Sequence, residues 1–89
     1  SVEYALMEHP EIVEACVYSI PDVRLGELVA ATIYTKSKLT EHTIKSFLKG
    51  KLANFEIPEA IKISSVPLQR GASGKITKRL VQKAALTSL

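Results

Sequence analysis

The stretch Glu27-Leu-Val-Ala-Ala-Thr-Ile-Tyr-Thr35 is apolar almost without interruption. A strand of this kind is buried on both faces, so it belongs in the middle of a sheet with other elements packed above and below. In a chain of 89 residues that requirement leaves little choice. Such a length supports one domain at most. Folding hides about 60–65% of the unfolded surface at this size, so nearly every helix must help to cover the sheet.

Neighbouring segments supply the partners. Val13–Ile20 is β-prone and apolar, Pro21-Asp22 closes it, and Val23-Arg24-Leu25-Gly26 reads as the loop into the central strand. Ala60–Val66 alternates as a third strand, with Ile61 and Ile63 on one side. Val2, Ala5 and Leu6 make one face of a short helix that Pro10 limits. Thr40 is a suitable N-cap and Glu41 complements the helix dipole. Ile44, Phe47, Leu48 and Leu52 then mark a second amphipathic helix, whose other face carries Lys45, Lys49 and Lys51. Ile76, Leu80 and Ala84, with Val81 nearby, put an apolar stripe on a third. The predicted fold is α+β, a small three-stranded sheet covered by helices in the order αββαβα. The first helix starts almost at residue 1, so the chain is expected to be a piece of a longer protein.

Charge is divided unevenly. Residues 1–59 hold six Lys/Arg against nine Asp/Glu, a balance of −3. Residues 60–89 hold Lys62, Arg70, Lys75, Lys78, Arg79 and Lys83 and no acid, a balance of +6. The basic third suits a phosphorylated small molecule, an acidic protein surface or nucleic acid. Its most informative part is Pro67–Arg79, read as a flexible loop. Gly71 and Gly74 permit close approach of the backbone to a ligand, and Lys75 follows as a point charge on a long stem. It is not a P-loop, because only Ala72 and Ser73 separate the glycines and Ile76 follows the lysine.

Other chemistries find little support. His9 and His42 have no partner at metal-ligand spacing, so no metal site is predicted. Cys16, the single cysteine, sits inside a strand and reads as core; its solitude fits a reducing, cytoplasmic compartment. No apolar run approaches the ~20 residues of a membrane span. A nucleic-acid-binding domain remains an alternative, although no aromatic residue lies beyond Phe55. A pure interaction module is another.

Five motifs in order carry a resemblance across essentially the whole chain. They are Val2-Glu3-Tyr-Ala-Leu with His9-Pro10-Glu11-Ile12, Ile20-Pro21-Asp22, Leu25-Gly26-Glu27, Phe55-Glu-Ile-Pro58, and Gly74-Lys75-Ile76 with Lys78-Arg79. Together they resemble the C-terminal domain of the acyl-adenylating (AMP-binding) enzyme superfamily, most like that of an acyl-CoA synthetase. The resemblance implies carboxylate adenylation by ATP, then thioester formation with CoA, by a small domain that swings between two poses. It implies that Lys75 serves adenylation, with Gly74 and Ser73 in the loop facing ATP and the acyl-adenylate. In the other pose Arg24, Leu25, Gly26 and Glu27 face the thiol side of CoA, and Lys49 and Lys51 are candidates for its phosphates.

The same resemblance assigns ATP, the carboxylic acid and Mg²⁺ to a large N-terminal domain, the expected partner. The small domain alone is expected to bind no cofactor and to be inactive. Loading of a carrier protein in place of CoA is the nearest alternative; a chain that ends just after the last helix favours the free-standing ligase. Three departures stand out. Glu56 replaces the usual Lys or Arg, the Pro67–Lys75 loop is longer than common versions, and the hinge motif before the first helix is absent.

Overall fold

In the computed structural model, which describes residues 1–24 and 26–87, the strand at Gly26–Tyr34 (β2) lies between its two neighbours. The first of these, β1 (Glu14–Asp22), runs antiparallel to it, and β3 (Ala60–Ser64) runs parallel to it. The described residues also form three α-helices, α1 (Val2–Met7), α2 (Glu41–Lys49) and α3 (Lys78–Thr87), with a short 3₁₀ turn at Asn54–Glu56. The element order and the mixed three-stranded sheet agree with the αββαβα expectation.

Strand alternation sends the two faces of the sheet into two different cores. On one face Ala31, Ile33 and Ile61 pack with Ala5 and Leu6 of α1 and with Ile44 and Leu48 of α2. On the other, Cys16, Tyr18 and Ala30 meet Leu68, Val81 and Ala85. β2 is buried continuously from Ala30 to Ile33 because both sides are covered. Each Leu or Ile so enclosed contributes roughly 1.5–3 kcal/mol. Tyr18 and Thr32, the polar members of the second core, share a 2.6 Å hydroxyl–hydroxyl hydrogen bond, which keeps neither group unsatisfied.

The helices start where the sequence indicates. Ser1 Oγ accepts from the Tyr4 N–H and Thr40 Oγ1 from the Thr43 N–H, the two N-caps. Glu3 and Glu41, acids in the first turns, then reach across to the sheet. Glu3 Oε2 accepts the Val17 N–H at 2.8 Å and Glu41 Oε2 accepts the Ile61 N–H at 3.1 Å.

Three strand boundaries and one helix face differ from expectation. β1 does not stop before Pro21-Asp22 but runs through them, with Pro21 paired to Glu27; an edge strand tolerates a residue without an N–H. β2 begins and ends one residue earlier than predicted, since Thr35 turns to donate its hydroxyl to the Glu11 carbonyl at 2.6 Å. β3 ends at Ser64, whose hydroxyl accepts the Val66 N–H and donates to the Val66 carbonyl in a local turn. Within α3 the buried stripe is Val81 and Ala85, while Leu80 is 40% exposed; Ile76 packs against the same core, as expected, but from before the helix. Ile76 precedes the helix and is paired with Arg70, so it does not share the helical phase.

Candidate functional site

The loop that carries Lys75 is closed on itself by backbone hydrogen bonds. Leu68, 4% exposed, anchors its start in the second core. Arg70 then pairs with Ile76, and the Thr77 N–H donates to the Gln69 carbonyl at 3.0 Å. Inside that narrow hairpin the Gly71 N–H donates to the Lys75 carbonyl, and the Gly74 N–H to the Gly71 carbonyl, each at 3.0 Å. Gly74 closes the turn at φ +84°, a conformation that costs a side-chain-bearing residue energy and glycine none. Ala72, Ser73 and Lys75 are exposed at the tip.

Glu14, the first residue of β1, ties this hairpin to the sheet. One carboxylate oxygen accepts the Leu68 N–H at 2.8 Å and the other pairs with the Arg70 guanidinium. Arg70 also donates to the Gly74 carbonyl at 2.9 Å. In the sequence Arg70 is one more positive charge and Glu14 one more strand residue. They stand 56 residues apart in the chain, so no local motif signals the pair.

The second set of candidates lies elsewhere. Arg24 lies in the β1–β2 turn, and Gly26 and Glu27 open β2; Leu25 lies outside the described residues. Asp22 accepts the Arg24 N–H at 3.2 Å, Gly26 takes φ +82°, and the Glu27 carboxylate accepts the Ser19 hydroxyl at 3.1 Å. Gly26 is paired with Asp22 at one end of β1 while Glu14 holds the lysine hairpin at the other. At ~3.3 Å per residue the eight steps between them span about 26 Å. The structure therefore keeps Lys75 and Gly26 at opposite ends of the sheet.

Lys49 ends α2 and is exposed, whereas Lys51 follows the Gly50 C-cap. Its ammonium lies 3.5 Å from Glu8 Oε1 and 5.1 Å from the centre of the Phe47 ring. Glu56 folds back on its own turn and accepts the Ala53 N–H at 3.0 Å. His9 packs edge-on against Phe47, and among the described residues no three His, Cys, Asp or Glu side chains gather as a metal site. Cys16 is 2% exposed, and burial foremost pushes its thiol above the ordinary range. Beside the lysine hairpin, Tyr4, Met7, Val13, Arg70 and Ile76 line an open cleft of about 550 Å³. Tyr4, Met7 and Val13 are 70%, 46% and 45% exposed and give the cleft an apolar side, with Glu3 and Glu14 also in its lining.

Residues 1–75 match the AMP-binding enzyme C-terminal domain, the match reaching up to the lysine itself. The chain is 37% identical to 4-hydroxybutyrate–CoA ligase 2 of Metallosphaera sedula over 94% of its own length and 15% of that protein's. It is 36% identical to the medium-chain fatty-acid–CoA ligase of Escherichia coli over 99% of its length and 16% of the other's. A fatty acyl CoA synthetase of Mycobacterium tuberculosis superposes with a TM-score of 0.87 at 23% identity, over 98% of this chain and 17% of that one, which is a likeness of fold. The chain thus spans about one-sixth of the length of the curated relatives it matches. Among the described residues no helix is long and apolar enough to cross a membrane.

Proposed function

The chain belongs to the AMP-binding enzyme C-terminal domain family, and on that premise we propose that residues 1–89 form the mobile C-terminal domain of an ATP-dependent acyl-CoA ligase. In this reading the ATP and acyl pockets, with the Mg²⁺ that accompanies ATP, belong to a larger domain outside this chain. The domain by itself is inactive and holds no cofactor. Cys16, free and buried, suits a reducing cytoplasmic compartment.

The chemistry has two steps. A carboxylate oxygen attacks the α-phosphorus of ATP, the bond to the bridging oxygen breaks, and pyrophosphate leaves with the electron pair. The CoA thiol, giving up its proton, then attacks the acyl carbon, and AMP leaves. Lys75 acts in the first step. Negative charge shifts among phosphate oxygens as the new bond forms, and a placed cation stabilises it by about 3–4 kcal/mol. Gly74 and Ser73 bring the backbone near the adenylate. In the second step Arg24, Gly26 and Glu27 face the thiol, and Lys49 and Lys51 meet the CoA phosphates. Because the two loops lie at opposite ends of β1, the domain must turn to exchange them.

One observation carries the reading: Lys75 is exposed on a preformed hairpin and, among the described residues, makes no ion pair. The apolar patch of Tyr4, Met7 and Val13 beside it suits docking against a larger body. The test is Lys75→Ala in the ligase that carries this chain. Pyrophosphate release is expected to fall roughly 100- to 1,000-fold, with thioester formation from supplied acyl-adenylate retained. Equal loss of both half-reactions overturns the assignment. Offering a carrier-protein thiol in place of CoA separates the two kinds of acceptor.

A further inference from the structure

We propose that Arg70 and Glu14 are positioning residues for Lys75 in the adenylation step, an inference that rests on the role assigned to Lys75 above. A lysine side chain has many rotamers, so the reach of its ammonium is defined only as well as its backbone anchor. Here both peptide planes that flank the Lys75 Cα are held. The Gly74 carbonyl, in the peptide before it, accepts from the Arg70 guanidinium at 2.9 Å. The Lys75 carbonyl, in the peptide after it, accepts the Gly71 N–H at 3.0 Å. Fixing both planes fixes φ and ψ of Lys75, and with them the direction of its Cα–Cβ bond.

The anchor continues into the core. The planar guanidinium serves two acceptors at once, the Gly74 carbonyl and the Glu14 carboxylate, which suits arginine and not lysine. The Glu14 side chain is 12% exposed and also accepts the Leu68 N–H, and Leu68 is buried among Cys16, Tyr18 and Val81. A continuous path of contacts therefore runs from sheet and core through Glu14 and Arg70 to the peptide of Lys75. The Arg70 side chain itself is 44% exposed, and an ion pair so open to water adds little to global stability. Its use is geometric: displacement of a catalytic group by about 1 Å can cost 100-fold in rate.

The experiment uses the ligase that carries this chain and measures both half-reactions in Lys75→Ala, Arg70→Gln, Arg70→Lys and Glu14→Gln. Arg70→Gln is expected to lower kcat for adenylation roughly 10- to 100-fold, with KM for ATP and thioester formation from supplied acyl-adenylate little changed. Its melting temperature is expected to stay within a few degrees of the parent. Arg70→Lys recovers only part of the loss, because a point charge cannot hold both acceptors, and Glu14→Gln moves in the same direction as Arg70→Gln. Adding Arg70→Gln to Lys75→Ala causes no further loss. If Lys75→Ala abolishes adenylation while Arg70→Gln runs at the parental rate, positioning is wrong and the role of Lys75 stands. Equal loss of both half-reactions in Arg70→Gln makes the pair merely structural and also overturns it. If Lys75→Ala adenylates normally, the role of Lys75 and this inference fall together.

Discussion

Leu80 and Val81 are consecutive on α3, yet Val81 is 1% exposed against Cys16 and Tyr18 while Leu80 is 40% exposed. The helix turns 100° between them, and only one can face the sheet. Val81→Ala removes two methyl groups from a closed core and is expected to destabilise the fold by about 2 kcal/mol. Leu80→Ala is expected to stay within about 0.5 kcal/mol of the parent. Urea unfolding of the two variants checks this, and equal losses would restore the stripe read from the sequence.

Gly71 and Gly74 both shape the lysine hairpin, for different reasons. At Gly74 there is open space for a Cβ, so Gly74→Ala costs only the left-handed backbone, about 1 kcal/mol, and Gly74→Asn costs less. At Gly71 an added Cβ lies 2.8 Å from Thr77 Oγ1. Gly71→Ala is therefore expected to be rescued in part by Thr77→Ala, whereas Gly74→Ala is not. A double-mutant cycle measured by denaturation distinguishes the two.

Thr40 caps α2 through its side chain, and α2 supplies Ile44 and Leu48 to the first core. Thr40→Ala is expected to cost about 1 kcal/mol and Thr40→Ser almost nothing. Chemical denaturation with tyrosine fluorescence follows both. A neutral Thr40→Ala would mean that packing alone defines the helix start.

Alkaline pH should weaken the second core. Burial foremost raises the Cys16 thiol above its ordinary 9.0 and the Tyr18 phenol above its ordinary 10.0. Both groups hold their protons more tightly when folded, so the unfolded chain ionises first as pH rises. Their contribution is complete below pH 9 and is lost as pH climbs through the raised folded values. The urea midpoint is expected to fall steadily above pH 9, and less steeply in Cys16→Ala. An unchanged slope in that variant would remove Cys16 from the account.

Local signals sufficed where local physics decides. The unbroken apolar run of β2 foretold a central strand, and Thr40 with the Ile44–Leu48 spacing foretold α2. Pro21 reads locally as a stop, yet its tolerance in β1 depends on which side of the strand has a neighbour. The phase of α3 is not legible from Ile76, because Ile76 reaches the core from before the helix, where it pairs with Arg70. Lys75 stood out through the glycines around it, while the support beneath it did not. The Glu14–Arg70 contact joins the first strand to the last loop, and only the folded chain brings those segments together.

The glutamates that open α1 and α2 each occupy an amide on an outer strand, Val17 on β1 and Ile61 on β3, and Pro21 removes a further donor from β1. A three-stranded sheet otherwise offers two free borders on which another copy could add a strand. Here each border is already interrupted from within the same molecule. A second sheet therefore finds neither edge open for continuous strand addition, and the protection comes from the same two glutamates that fasten α1 and α2 to the sheet.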